Sequence, residues 1–370
     1  MRFLAAPLAA LALVSPAVAA PSGIDARAFL VVDGATGEVI AGKAARRSVP
    51  IASITKLMTV LVALERAQLD DVATVQPDAT TTGGSVIGLR AGERISVRDL
   101  VTAALIHSAN DAAHALADHV AGDEERFVSL MNARARELGL SQTHFVRPDG
   151  LDAPGHRSSA RDVTLLARVA MQKPFLRATV RRREAAIQGG RRLDVWNDLL
   201  RTFPGLIGVK TGHTSDAGWC QVAAVRGGGI TIYATLLGGP SRAERNEDLA
   251  RLLRFGLSRY RVASVVAHKH VYATARTQWG RGPVELVARR PVRRALRLGT
   301  LLVERVVAPG VVALPVEKGQ ALGEVRVYDG ARLVGRSPLV AQKAIAEPGF
   351  PGKVTWYGER MVENIADWFT

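Results

Sequence analysis

Short apolar runs at residues 28–33 and 38–41 flank the turn Asp33-Gly34-Ala35-Thr36-Gly37, and together they predict a β-hairpin. A longer apolar segment, 57–65, reads as a buried helix. Ser96-Val97-Arg98-Asp99 predicts a capped helix start running through Ile106, and helical spacing continues over 110–120 and 124–138. After a loop rich in Pro and Gly at 147–156, Ser159 is placed to cap a helix reaching Met171. Strand signals return at 207–211, 218–225 and 230–237, and a helical stretch over 242–260 closes the unit. A hairpin, inserted helices, then strands and a helix predict one domain whose sheet is assembled from both ends.

Beyond Arg261 the pattern changes to short β-branched runs at 268–279, 283–300, 322–328, 333–335 and 339–340. Short strands at close spacing predict a small β-sandwich or barrel. The last segment, 352–370, is helical in pattern, with Val354, Tyr357, Met361, Ile365 and Trp368 on one stripe. Two readings of that stripe stand side by side. It packs on its own domain, or it lies in a bilayer interface, against which Glu359, Glu363 and Asp367 make the polar face acidic.

Composition narrows the setting. The 370 residues are 48% hydrophobic, enough for two domains and a sizeable core. The formal charge of +15 favours anionic surroundings: phospholipid headgroups, acidic wall polymers or nucleic acid. The basic residues are spread along the chain and no nucleic-acid motif accompanies them, so nucleic acid ranks below an anionic envelope. General arginine usage without a specific partner is an equal alternative. Met1-Arg2, the apolar run 3–14 and Ala17-Val18-Ala19 form a signal-peptide pattern, with cleavage expected after Ala19. The strongly apolar part is short for a bilayer span. An exported protein is expected, soluble or peripherally attached. The single cysteine, Cys220, excludes an intramolecular disulfide and reads as a core residue. His107 and His114 read as structural, and neither a metal nor another cofactor is expected.

The candidate chemistry begins at Ser53-Ile54-Thr55-Lys56, just ahead of the 57–65 helix. On a helix, positions three apart share a face, so this spacing sets a hydroxyl beside an amine. Serine needs an adjacent base to act as a nucleophile, and a desolvated lysine can supply one near neutral pH. Alone, the tetrapeptide is equally an ordinary helix cap. Two further motifs follow it. Ser108-Ala109-Asn110 lies between two helical segments, and Lys210-Thr211-Gly212-His213 lies at the end of an apolar strand. There Gly212 lets an extended substrate approach the backbone, while Lys210 and Thr211 offer a charge and a hydroxyl to a carboxylate.

The set S-x-x-K, S-x-N and K-T-G, in this order behind a signal peptide, resembles the low-molecular-mass penicillin-binding proteins, the serine-type D-alanyl-D-alanine carboxypeptidases. The likeness extends to 139–145, Asp149-Gly150-Leu151-Asp152, Ser158-Ser159-Ala160-Arg161-Asp162 and the stretch from Pro204 to Gly218. It implies an α/β (α+β) penicillin-binding/β-lactamase-like catalytic domain with a mixed, mainly antiparallel sheet, plus a small all-β C-terminal domain. The implied division is a signal peptide at 1–19, the catalytic domain at 20–262, the β-rich domain at 263–349 and an amphipathic helix at 350–370, a candidate membrane anchor.

The resemblance also implies roles. Ser53 attacks the carbonyl between two terminal D-alanines of a peptidoglycan stem peptide, and Lys56 takes its proton. Ser108 relays a proton to the leaving amine, and Asn110 positions the substrate backbone. The N–H groups of Ser53 and His213 form an oxyanion hole. Thr211 and Lys210 receive the terminal carboxylate with Arg245, for which Arg242 is the fallback. β-Lactam antibiotics are expected to trap the same serine. Trp196 departs from the basic residue some members carry there. Three alternatives remain. A class A β-lactamase needs a glutamate for deacylation, and no E-x-x-L-N stands between Asn110 and Lys210. A D,D-endopeptidase shares the motifs. A catalytically silent wall-binding relative is expected to have lost Ser53 or Lys56.

Overall fold

The computed structural model describes residues 21–366. The signal-peptide segment and the last four residues, including Trp368, lie outside them. The chain divides into two compact units, the first ending at Ser258 and the second beginning at Arg259.

The first unit contains strands β1 (Ala28–Asp33), β2 (Val39–Lys43), β3 (Val72–Thr74), β4 (Arg94–Ser96), β5 (Glu184–Ile187), β6 (Arg191–Asp194), β7 (Leu206–Thr214), β8 (Gly218–Gly227) and β9 (Ile230–Gly239). Its helices are α1 (Lys56–Arg66), α2 (Val97–Ile106), α3 (Asn110–Ala121), α4 (Glu124–Glu137), α5 (Ala160–Ala170), α6 (Pro174–Thr179), α7 (Leu199–Thr202) and α8 (Arg242–Ser258). The central sheet has the order β2-β1-β9-β8-β7, with every pair antiparallel. β1 pairs with β9 from the far end of the unit, so the sheet is built from both ends as the pattern predicts.

Strand alternation divides the sheet into two buried faces. Leu30, Val32 and Tyr233 join the core cluster that includes α1, α2, α3 and α5, and Thr164 of α5 bonds Thr235 of β9 at 2.7 Å. Val31 and Ile232 point the other way, onto α8, where Gly256 removes the side chain that would collide with them. The expected caps form: Ser96 Oγ accepts from the Asp99 N–H and Ser159 Oγ from the Asp162 N–H, each at 3.1 Å. Two small ribbons, β3–β4 and β5–β6, and the short helices α6 and α7 add to the expected elements. Helix α8 stops at Ser258, and the residues after it enter a strand.

The second unit contains β10 (Tyr260–Val266), β11 (Val271–Thr277), β12 (Val284–Ala288), β13 (Val292–Arg297), β14 (Leu302–Val307), β15 (Val311–Val312), β16 (Ala321–Asp329), β17 (Arg332–Ala341) and α9 (Phe350–Ala366). A six-stranded sheet of order β14-β16-β17-β12-β11-β15 faces the β10–β13 ribbon. Gly335 of β17 lies close against the ribbon, since a β-carbon there would stand 2.7 Å from a Val265 methyl carbon. Helix α9 touches this unit through Trp356 and Tyr357, which meet Trp279 edge to face at 5.4 and 5.3 Å. Val354 and Met361 of the stripe stay in solvent, 55% and 70% exposed, as does Phe350 at the helix start, 81% exposed. Among the described residues no helix is long and apolar enough to cross a membrane.

Candidate active site

Ser53 sits in a single 3-10 turn, Ala52–Thr55, that leads into α1 at Lys56. The turn is held from behind by a directed chain of hydrogen bonds. The Val146 N–H donates to His156 Nδ1 at 3.1 Å, so Nε2 carries the ring hydrogen and donates to Thr55 Oγ1 at 2.8 Å. Thr55 then donates to the Ala52 carbonyl at 2.9 Å. Burial lowers the His156 pKa to about 4, which keeps the ring neutral and this direction fixed. Ala52 itself adopts a φ of 50°, a left-handed conformation that Gly150, packed against its carbonyl, supports from below.

Lys56 is fully buried, and its amine touches three oxygens: Ser53 Oγ at 2.9 Å, Asn110 Oδ1 at 2.6 Å and the Asp149 carbonyl at 2.7 Å. Burial is the main influence on its charge and lowers its pKa to about 7. Asp149 opposes the shift and Arg147 reinforces it. An amine of that pKa, one hydrogen bond from a serine hydroxyl, is suited to general-base work at neutral pH.

The second motif falls in the connection between α2 and α3. Ser108 has a φ of 64°, and its Oγ receives a hydrogen from Lys210 Nζ at 2.8 Å. Asn110 opens α3. Its Oδ1 accepts from Lys56, and its Nδ2 donates to the Gly83 carbonyl at 2.6 Å. Its amide is therefore engaged with the protein, although the residue lines the cleft.

The third motif ends β7. The two-residue period of the strand turns Lys210 and the face of Gly212 that lacks a side chain toward the Ser53 turn, which fills the space a side chain would need. Lys210 is buried and does not line the cleft; its amine bonds Ser108 and the Thr211 carbonyl, the latter at 2.9 Å. Burial, with Lys56 and Arg245 nearby, depresses its pKa well below that of a free lysine. Thr211 and His213 face the other way. His213 stacks on Trp219 with ring centres 4.1 Å apart, and the Arg245 guanidinium lies 5.5 Å from the centre of the same indole. Arg245 is 2% exposed, yet it reaches the cleft wall. Asp198 is shared unequally: Arg242 holds it at 2.8 Å and 2.5 Å, whereas Arg245 is 3.6 Å away. Arg242 is thus largely neutralised and Arg245 is not.

These groups enclose a cleft of about 370 Å³ between Ser53, Ser108 and Asn110 on one side and Thr211, Gly212 and His213 on the other. Trp196 and Trp219 form part of its wall, and the Trp196 indole donates to the His107 carbonyl at 2.9 Å. Among the described residues lining the cleft none is acidic. The arrangement offers a nucleophile, a base, a second hydroxyl tied to a lysine, a glycine edge for backbone pairing and a buried cation for an anionic group. All the residues singled out in the three motifs converge here, together with both candidate arginines. Sequence reasoning missed Trp219, His156, Thr55 and the His114–Asp149–Arg147 group. In the sequence Asp149-Gly150 carries a signal only as part of a longer resemblance, and His114 reads as structural.

A family model described as D-alanyl-D-alanine carboxypeptidase matches residues 15–241. The chain is 32% identical to the D-alanyl-D-alanine carboxypeptidase DacC of Escherichia coli (strain K12), over 100% of this chain and 97% of that protein. It is 28% identical to DacF of Bacillus subtilis (strain 168), also a D-alanyl-D-alanine carboxypeptidase, over 88% and 87% of the two chains. Among solved structures it resembles penicillin binding protein 6B from Escherichia coli, at 30% identity and a TM-score of 0.66, covering 88% of this chain and 98% of that one.

Proposed function

Because the chain belongs to the D-alanyl-D-alanine carboxypeptidase family, we propose that Ser53 is its acylated nucleophile and that it removes the terminal D-alanine from peptidoglycan stem pentapeptides. The observation that carries this reading is the Lys56 amine, buried and within 2.9 Å of Ser53 Oγ.

In the first step Ser53 Oγ attacks the carbonyl carbon of the D-Ala-D-Ala bond while its proton passes to neutral Lys56. The oxyanion receives hydrogen bonds from the Ser53 and His213 N–H groups. The proton taken up by Lys56 is relayed through Ser108 to the departing amine, so Lys56 is neutral again for the hydrolytic step, and Lys210, bonded to Ser108 from behind, holds that hydroxyl in place. Thr211 and Arg245 bind the terminal carboxylate. Asn110 holds Lys56 in place, and the open edge at Gly212 pairs with the substrate backbone. The C–N bond breaks, D-alanine leaves, and water hydrolyses the Ser53 ester to regenerate the enzyme. In a β-lactam the expelled amine stays tethered to the acyl group, so the ester persists. The absence of an acidic residue from the described cleft lining accords with slow deacylation and sets the enzyme apart from a class A β-lactamase.

The setting follows from the substrate: the enzyme acts outside the cytoplasmic membrane, in the periplasm or at the wall, with the exposed side of α9 as its peripheral contact with lipid. The test is direct. The purified protein should release D-alanine from a peptide ending in D-Ala-D-Ala and take a lasting fluorescent-penicillin label that Ser53→Ala loses. Labelling that survives in Ser53→Ala sinks the assignment. Rapid turnover of penicillin points to a β-lactamase, and cleavage of crosslinked muropeptides to an endopeptidase.

A further inference from the structure

Directly behind the base lies a buried ionic cluster that the proposed reaction does not use. The Asp149 carboxylate has no exposure to solvent. Arg147 donates to its two oxygens at 2.6 and 2.8 Å, the Leu151 N–H donates to Oδ1 at 3.0 Å, and His114 Nε2, from the middle of α3, donates to Oδ2 at 3.0 Å. The other ring nitrogen of His114 lies 3.2 Å from Glu124 Oε2 at the start of α4. Carboxylates on both ring nitrogens require a hydrogen on each, so His114 is an imidazolium. Burial opposes that charge, but the bonds to Asp149 and Glu124 outweigh it and raise the pKa to about 9. Burial likewise works against the Asp149 charge, and His114 and Arg147 still hold the carboxyl below the usual range.

The backbone of the same residue completes the connection. A neutral lysine has two hydrogens and one lone pair. Asn110 Oδ1 and the Asp149 carbonyl take the two hydrogens, at 2.6 and 2.7 Å, which leaves the lone pair directed at Ser53 Oγ. The aim of the base therefore depends on where the Asp149 carbonyl sits. That carbonyl belongs to a turn with Gly150 at a φ of 84°, pressed against Ala52 beside the nucleophile. Burying charges is costly unless the geometry is good, and removing one partner from such a group leaves the other uncompensated.

We propose that Asp149 and His114 are positioning residues for Lys56: their buried ion pair fixes the turn whose carbonyl oxygen aims the lysine lone pair at Ser53. The inference rests on the reading of Lys56 as the base of a serine acyl-enzyme. The charged groups that act on Lys56 come from three elements. Asp149 and Arg147 lie on the loop, Asp111 on α3 and Lys210 on β7, with His114 reaching it through Asp149.

The experiment measures acylation by fluorescent penicillin from about pH 5 to about pH 9 in the full chain, His114→Ala, His114→Gln and Asp149→Asn, beside their thermal midpoints. His114→Ala should slow the acylation step about 10- to 100-fold with little change in initial binding, as expected for a misaimed base. His114→Gln keeps a donor for Asp149 and should recover most of the rate. Asp149→Asn removes the charge that favours the Lys56 proton and leaves Arg147 unopposed, so the acidic limb of its rate profile should move to lower pH. If the variants lose only thermal stability, with rate constants and acidic limbs unchanged in the folded fraction, the positioning role is overturned. If wild type takes no label at Ser53, the acyl-enzyme reading fails and the inference falls with it.

Discussion

Gly212 passes Ser53 so closely that a β-carbon on the glycine would stand 2.9 Å from the serine amide nitrogen and 3.0 Å from both the Ala52 β-carbon and the Ile51 carbonyl. All three contacts are with backbone or the first side-chain atom, so none can swing away. Gly212→Ala should push the nucleophile turn and the strand end apart and slow penicillin acylation by about 100-fold. Stopped-flow labelling, with circular dichroism to show an intact fold, checks this.

In the proposed mechanism Lys56 acts as the base in its neutral form. With burial bringing its pKa to about 7, acylation should rise with pH and reach half its plateau near that value. Below it the ammonium cannot accept the serine proton. Lys56→Arg, charged at every accessible pH, should lose about 10²- to 10⁴-fold at the plateau and show no acidic limb. A pH series of labelling rates decides.

His114 should make stability depend on pH in a definite direction. Its folded pKa of about 9 lies above the ordinary 6.5, so the stabilisation is fully present below 6.5 and is lost as pH rises through about 9. The difference in thermal midpoint between wild type and His114→Ala should therefore narrow from about pH 6 to about pH 9.5.

Arg245 is buried beside the cleft, and Asp198 is engaged mainly by Arg242. Arg245→Leu should raise KM for peptides ending in a free carboxylate by roughly 10- to 100-fold, the worth of a charge-assisted hydrogen bond. Peptides with an amidated C-terminus should bind wild type and variant equally.

The exposed Phe350, Val354 and Met361 predict that α9 carries membrane association. A chain ending before Pro351 should stay in the supernatant in a sedimentation assay with anionic phospholipid vesicles, while the full chain pellets. Equal sedimentation of both would remove the helix as the contact.

The parts of the site legible in the sequence are those written locally. Ser53 and Lys56 are three positions apart, Ser108 and Asn110 two, and Lys210, Thr211 and Gly212 are consecutive, so each set is placed by one turn or strand end. The ion pair beneath them is not written locally. His114 reads as one more residue on a buried helix until α3 folds against the loop carrying Asp149. Trp219 reads as the start of an apolar strand, and only the register that sets it opposite His213 makes it part of the wall. The ribbons β3–β4 and β5–β6 are too short to leave a periodic signal. The sheet was legible as a whole because its strands are long apolar runs at both ends of one unit. The direction of Lys210 was not, since motif order does not reveal which side of a strand faces a neighbour.

The pairing of β1 with β9 has a bearing on the life of the chain before it works. Phe29 lies opposite Leu236, so the sheet joins segments separated by nearly the whole first unit. Contacts of such long range form late, after the entropy of closing the intervening loop has been met. A nascent chain holding only the first motif has its serine and lysine in sequence but no Lys-Thr-Gly edge beside them. On the proposed mechanism Ser53 should therefore gain its reactivity only together with the completed sheet, which a chain ending before Leu206 that takes no penicillin label would bear out.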